Sequence, residues 1–207
     1  MNRQSGFTLV EISIVLVIIA LILGGVFLSG TVTIGNTKAT STITLIKDLS
    51  GAINDFKSRY HYLPGDLPNA SQEFPGQITS GTACDLGTGD GLIVDPTNEI
   101  PCVASHLVFA GLIKGNATGI VSPFGSTADV FVLANSSSAT FGTAWKFGTP
   151  ALPPVQVLNV IEIKGIPCEA ATAIDSKIDD GDTATGNVRT KPPCTPGITT
   201  TTLDVAL

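Results

Sequence analysis

Two kinds of side chain in this sequence could do chemistry: four cysteines and several groups of acids. The cysteines are Cys84, Cys102, Cys168 and Cys194. Their even number, the lack of any Cys-x-x-Cys pair and the distance in sequence between His61 and His106 favour disulfides formed outside the cytoplasm over a zinc site. Four cysteines allow three pairings. Joining neighbours, Cys84 to Cys102 and Cys168 to Cys194, is preferred because it closes two surface loops. The densest acids lie in DSKIDDGDTATG, where Asp175, Asp179, Asp180 and Asp182 surround a glycine turn. Calcium takes about six to eight hard oxygen ligands, so these four are candidate calcium ligands. The plainer reading is a capped turn whose acids face water. Asp85, Asp90, Asp95 and Glu99 in CDLGTGDGLIVDPTNEIPC miss the EF-hand spacing and read as a solvated loop pinned by Cys84 and Cys102. His106 stands alone in a short helical pattern and reads as structural. No nucleophile–base set, phosphate loop or metalloprotease motif occurs, and acids this common in loops define no glycosidase pair.

One acid has different surroundings. Glu11 lies near the start of GFTLVEISIVLVIIALILGGVFL, Gly6 to Leu28. Phe7 to Leu28 is 28 − 7 + 1 = 22 residues, and about 20 apolar residues suffice for a helix to cross a hydrocarbon core. An ionised side chain inside such a segment costs on the order of 2.5–3.5 kcal/mol, so Glu11 needs a partner and a task. Arg3 in the polar stretch before the run keeps the N-terminus on the cytoplasmic side and sends the bulk of the chain outside. A secretory signal peptide would have its small-residue cleavage site after the apolar core. Here Leu28 and Gly30 offer a poor one, and the small polar boundary Ser5-Gly6 comes first.

Gly6-Phe7-Thr8-Leu9-Val10-Glu11 and the apolar run behind it resemble the processing motif of type IV pilins and the pseudopilins of type II secretion. The resemblance covers about 25 residues. It implies cleavage by a prepilin peptidase after Gly6, N-methylation of Phe7, and a role in assembly for Glu11. It also implies an inner-membrane assembly platform with its ATPase, and identical or related pilin subunits as partners. The physics agrees. Cleavage leaves a positive amine at Phe7, and staggered identical helices can bring a neighbour's Glu11 to it. Breaking one half of a buried ion pair costs on the order of 3–5 kcal/mol, so only the correct axial register is tolerated. Many pilins carry a proline part-way along this run. Here Gly24-Gly25 stands in that region, and each glycine weakens a helix by about 1 kcal/mol relative to alanine.

These residues need elements to position them. Ala39, Ile43, Ile46, Leu49, Ile53, Phe56 and Tyr60 recur at spacings of three and four, which predicts an amphipathic continuation of the first helix. Leu63-Pro64-Gly65 ends it. The octet LPGDLPNA, Leu63 to Ala70, resembles a segment that follows the spine helix in larger-headed pilin-like proteins. Short helices are expected at Val103 to Lys114 and Pro167 to Asp180. Strands are expected at Asp129 to Ala134, Thr140 to Phe147 and Val155 to Ile163, forming an antiparallel meander. Trp145 and Phe147 read as core or subunit contacts, and the tail from Gly197 to Leu207 as a strand at the sheet edge.

The expected fold is therefore α+β and pilin-like. A long N-terminal helix, transmembrane then amphipathic, packs on an antiparallel β-sheet head with disulfide-bounded loops. The expected divisions are a leader (1–6), a membrane or filament-core helix (7–28), its amphipathic continuation (29–62) and a globular head (63–207). The net charge of −6, with only 14% charged residues and no basic run, argues against nucleic acid as a partner of the head. The expected function is a structural, non-enzymatic subunit of a type IV pilus-like filament. It would be held by membrane lipid before assembly and belong afterwards to a cell-surface or periplasmic filament. A pseudopilin is the nearer alternative. A membrane-anchored extracytoplasmic binding domain or hydrolase is the remoter one.

Overall fold

The computed structural model describes residues 8–125, 128–134, 159–195 and 198–207, with the backbone alone for residues 24–34, 128 and 129. The chain divides into two compact units, Met1–Thr37 and Lys38–Leu207. In order, the elements are α1 (Leu9–Tyr60), α2 (Ala70–Glu73), a 3-10 turn (Ala83–Asp85), α3 (Cys102–Phe109), β1 (Ile120–Val121), β2 (Ala128–Ala134), β3 (Asn159–Pro167), α4 (Cys168–Ile178), β4 (Val188–Lys191) and β5 (Thr200–Ala206). The protein is thus α+β with an antiparallel sheet and two disulfides.

In the first unit α1 is apolar, and the side chains described there are exposed, Leu9 at 86% and Leu21 at 72%. The helix continues unbroken through Gly24 and Gly25. Among the described residues, no helix is long and apolar enough to cross a membrane. The expected membrane-spanning helix is therefore absent from this description, whose side chains in the run stop at Leu23, short of the roughly 20 residues a span needs.

In the second unit, three- and four-residue spacing brings Ala39, Ile43, Ile46, Leu49, Ile53 and Phe56 to one buried side of α1. They share a core with Leu107 of α3, Ile174 of α4 and one face of the sheet. That face is set by period-two alternation in register: Val130 pairs Ile163, which pairs Leu203, and Val132 pairs Ile161, which pairs Val205. The opposite face carries a different row, Phe131–Glu162–Asp204–Arg189, across β2, β3, β5 and β4.

Several expected boundaries move. The sheet order is β1-β2-β3-β5-β4, so the last strand lies between two others and not at the edge. Both of its backbone edges are bonded, and β4 takes the edge instead. The third expected strand begins at Asn159 and runs on to Pro167, with a register shift between Ile163 and Ile166 where Gly165 takes a positive φ of 71°. The helix expected to Lys114 ends at Phe109, and the one expected from Pro167 to Asp180 spans Cys168–Ile178. The strand expected at 140–147, with Trp145 and Phe147, lies outside the described residues, as do residues 155–158 and the leader with Gly6 and Phe7.

Candidate functional site

Three groups of residues could act: the start of α1, the acids at the end of α4, and the carboxylates and histidine between α1 and α3. At the start of α1, Glu11 and Thr8 satisfy each other. Glu11 Oε2 accepts the Thr8 N–H and the Thr8 hydroxyl, both at 2.9 Å, and the Glu11 N–H donates to Thr8 Oγ1 at 3.3 Å. This is a reciprocal capping box that occupies amides otherwise left open at a helix start. Glu11 therefore caps its own helix. The Thr8-x-x-Glu11 pattern was present in the sequence and went unread as a cap. Around it Leu9, Val10, Ile12 and Ile14 are exposed, so this end of the helix is apolar surface with one acid in it.

At the end of α4, carboxylate oxygens of Asp175, Asp179 and Asp180 all lie within 4.8 Å of one another. The fourth expected acid, Asp182, lies outside this triplet, and its Oδ1 accepts the Ala184 N–H at 3.0 Å. Asp180 accepts the Asp182 N–H at 2.9 Å and the Thr185 hydroxyl at 2.7 Å. Asp179 accepts the Asn187 and Val188 N–H groups, and a side chain at Gly186 would overlap its Oδ2. Asp175 differs: it is fully buried and neither oxygen makes a well-formed hydrogen bond among the described residues, although the Gly181 N–H is close enough to favour its ionised form. Burial first, then repulsion from Asp180 and Asp179, pushes its carboxyl up to about 6. One unsatisfied buried carboxylate beside two more fits a hard divalent cation, and the oxygen-only donor set fits calcium.

The four cysteines are joined as Cys84–Cys102 and Cys168–Cys194. The first bond closes a loop that is solvated only in part: Asp90 is exposed, while Asp85 and Glu99 are buried and bind backbone amides. Asp85 takes the Ser71 and Gly81 N–H groups at 2.7 and 2.8 Å, which hold its carboxyl below the usual range. Glu99 is fully buried and takes the Val94 and Asp95 N–H groups at 2.8 and 3.0 Å. Asp95 caps Thr97 and Asn98, and Asp90 caps Leu92. His106 is also fully buried, bonded to Gly65 N–H and the Cys84 carbonyl at 2.9 Å each, and stacked 5.9 Å from Phe56.

A surface groove of about 810 Å³ runs between α1 and residues 112–121. Its ionisable lining is Lys47, Asp48, Asp55 and Lys114, which offers no nucleophile paired with a base.

Residues 1–27 match the family model described as the prokaryotic N-terminal methylation motif, the signature of type IV pilins and pseudopilins. No curated protein and no solved structure matches the chain. The motif supports a pilin-like or pseudopilin protein, and such a motif points to a structural subunit rather than an enzyme.

Proposed function

We propose that this chain is a subunit of a type IV pilus-like filament. A prepilin peptidase removes residues 1–6 and methylates Phe7. Residues 7–28 hold the subunit in the inner membrane, with the N-terminus cytoplasmic, until assembly transfers that helix to the filament core. The platform and its ATPase drive the transfer, and the filament ends at the cell surface or in the periplasm. The observation that carries the reading is the processing motif, with a lone acid, Glu11, at the start of an otherwise apolar and exposed helix. Identical apolar helices can bury one another in a head-to-tail, non-closing arrangement, which makes filaments. Glu11 then sets register by meeting the Phe7 amine of a neighbour. Domain by domain, 29–62 continues the helix into the head, 63–207.

Mass spectrometry of the mature protein tests the first step: N-methyl-phenylalanine at Phe7 is expected, and an intact Met1 or a cut near Gly30 would reject the reading. Glu11→Ala should leave membrane insertion intact and abolish or misregister filaments. Normal filaments from that variant would remove Glu11 from its role.

A second proposal concerns the head. Asp175, Asp179 and Asp180 bind calcium, supported by the fully buried Asp175 carboxylate, which makes no well-formed hydrogen bond among the described residues. Calorimetric titration with calcium should give saturable binding that Asp175→Asn removes. Absence of binding at millimolar calcium would leave Asp175 a buried acid with no metal to hold.

A further inference from the structure

The octet Leu63 to Ala70 contains a fully buried acid, Asp66, that the assembly reading leaves without a task. Asp66 Oδ1 accepts the Gly89 N–H at 2.6 Å and Oδ2 the Gly91 N–H at 2.8 Å. Glu99, also fully buried, accepts the Thr88 N–H at 3.2 Å as well as those of Val94 and Asp95. Five amides of the segment 88–95 are thus held by two buried acids. Between the acids stands the Thr88 hydroxyl, 3.1 Å from Asp66 Oδ1 and 2.8 Å from Glu99 Oε1.

A hydroxyl has one proton and can donate to only one of these oxygens. The second contact becomes a hydrogen bond only if a carboxyl supplies a proton of its own. Without it, two negative charges on fully buried residues would face each other across one hydroxyl. We propose that Asp66 and Glu99 hold one proton between them across Thr88, and that this proton fastens the segment 88–95 to the connection between α1 and α2. Asp66 is its main holder. Burial pushes that carboxyl above the ordinary aspartate value and Glu99 adds to the shift, against the amides of Gly91 and Gly89 and the Thr88 hydroxyl.

The other ionisable groups nearby are accounted for. Asp90 and Asp95 on the segment bind amides of their own turns, and Asp85 binds Ser71 and Gly81. Tyr62 lies beside Gly89, and His106 of α3 receives the N–H of Gly65, the residue before Asp66. Among the described residues neither acid is paired with a lysine or arginine.

The clasp therefore loosens with base. The folded state keeps a proton that the unfolded state has given up once pH exceeds about 4. The pair's contribution to the folding equilibrium then falls tenfold per pH unit until the shared proton leaves. Glu99→Gln replaces that proton with a fixed amide N–H toward the Thr88 hydroxyl and keeps an oxygen for Val94 and Asp95; it gives up the Thr88 N–H contact, a loss that does not vary with pH. The experiment is denaturant unfolding of the full chain in detergent micelles, wild type against Glu99→Gln, at steps from about pH 4 upward. The expected result is a wild-type-to-variant ratio of folding constants that falls as pH rises, by up to tenfold per unit. A ratio constant with pH would overturn the proposal. If the variant does not fold, carbon-13 titration of the wild-type carboxyls decides. A step for Asp66 above the ordinary aspartate range is expected, and an ordinary aspartate titration would overturn the shared proton.

Discussion

Replacing His106 by phenylalanine isolates what two hydrogen bonds contribute inside the head. The Gly65 N–H donates to Nδ1, so Nδ1 must be the acceptor nitrogen and Nε2 must carry the ring proton, which it gives to the Cys84 carbonyl. A phenyl ring keeps the stacking on Phe56, where the imidazole lies at 9° to the ring plane, and fills a similar volume. It leaves the buried Gly65 N–H without a partner, costing about 1–3 kcal/mol, and the part-buried Cys84 carbonyl, costing up to as much, so the loss at neutral pH is about 1–6 kcal/mol. A second effect follows from charge. Burial holds the imidazole below its ordinary pKa, opposed by the Cys84 carbonyl bond and by Asp85. A depressed folded value means the unfolded chain takes up the proton first. Stability from the neutral ring is complete above about pH 6.5 and falls as pH drops through the folded value, by up to tenfold per unit. His106→Phe has no such ring, so the gap between wild type and variant should narrow in acid. Urea unfolding of the full chain, followed by circular dichroism at about pH 7.5 and then at steps down to about pH 5, measures both effects. A neutral-pH loss under about 1 kcal/mol, or a gap that does not move with pH, would refute the assigned tautomer and its burial.

Three further outcomes follow from the same geometry. Gly65→Ala must hold φ at +91° and bring a Cβ within 2.6 Å of the Glu99 carbonyl oxygen, so a loss above about 1 kcal/mol is expected in the same unfolding assay. Replacing Cys84 and Cys102 together by alanine opens a loop of sequence separation 18 and should cost about 3 kcal/mol by chain entropy. The Cys168–Cys194 pair, at separation 26, should cost slightly more, read from denaturation midpoints. Burial, with repulsion from Glu162 added and Lys164 and Lys191 opposing, pushes Asp204 up to about 9. Its raised value means a stabilising contribution present at low pH and lost as pH rises toward about 9, a slope that Asp204→Asn should remove in a pH series of unfolding midpoints.

What could be read from the sequence was what repeats or stands in order. The buried side of α1 from Ala39 to Phe56 follows directly from three- and four-residue spacing, because a helix converts spacing into a face. The motif from Gly6 to Glu11 was visible because a processing signal is a linear string. The burial of Glu99 and Asp85 was not visible. An acid that takes backbone amides and one that takes water have the same letter, and loop acids are more often wet. The place of β5 was hidden for a related reason: alternation specifies which side chains face the core, not which strands lie beside each other.

The position of β5 bears on how this head can be made. β3 and β4 precede it in the chain but are joined in the sheet only through it. A nascent chain emerging N-terminus first therefore presents two facing strand edges, each with free N–H and C=O groups, until residues 200–206 arrive and insert between them. Open edges of this kind are templates for pairing with the wrong chain. A translation product cut short before Thr200 lacks Leu203 and Val205, the partners across the sheet from Ile163 and Ile161. Only a polypeptide that includes β5 can therefore join β4 to β3 and close the sheet.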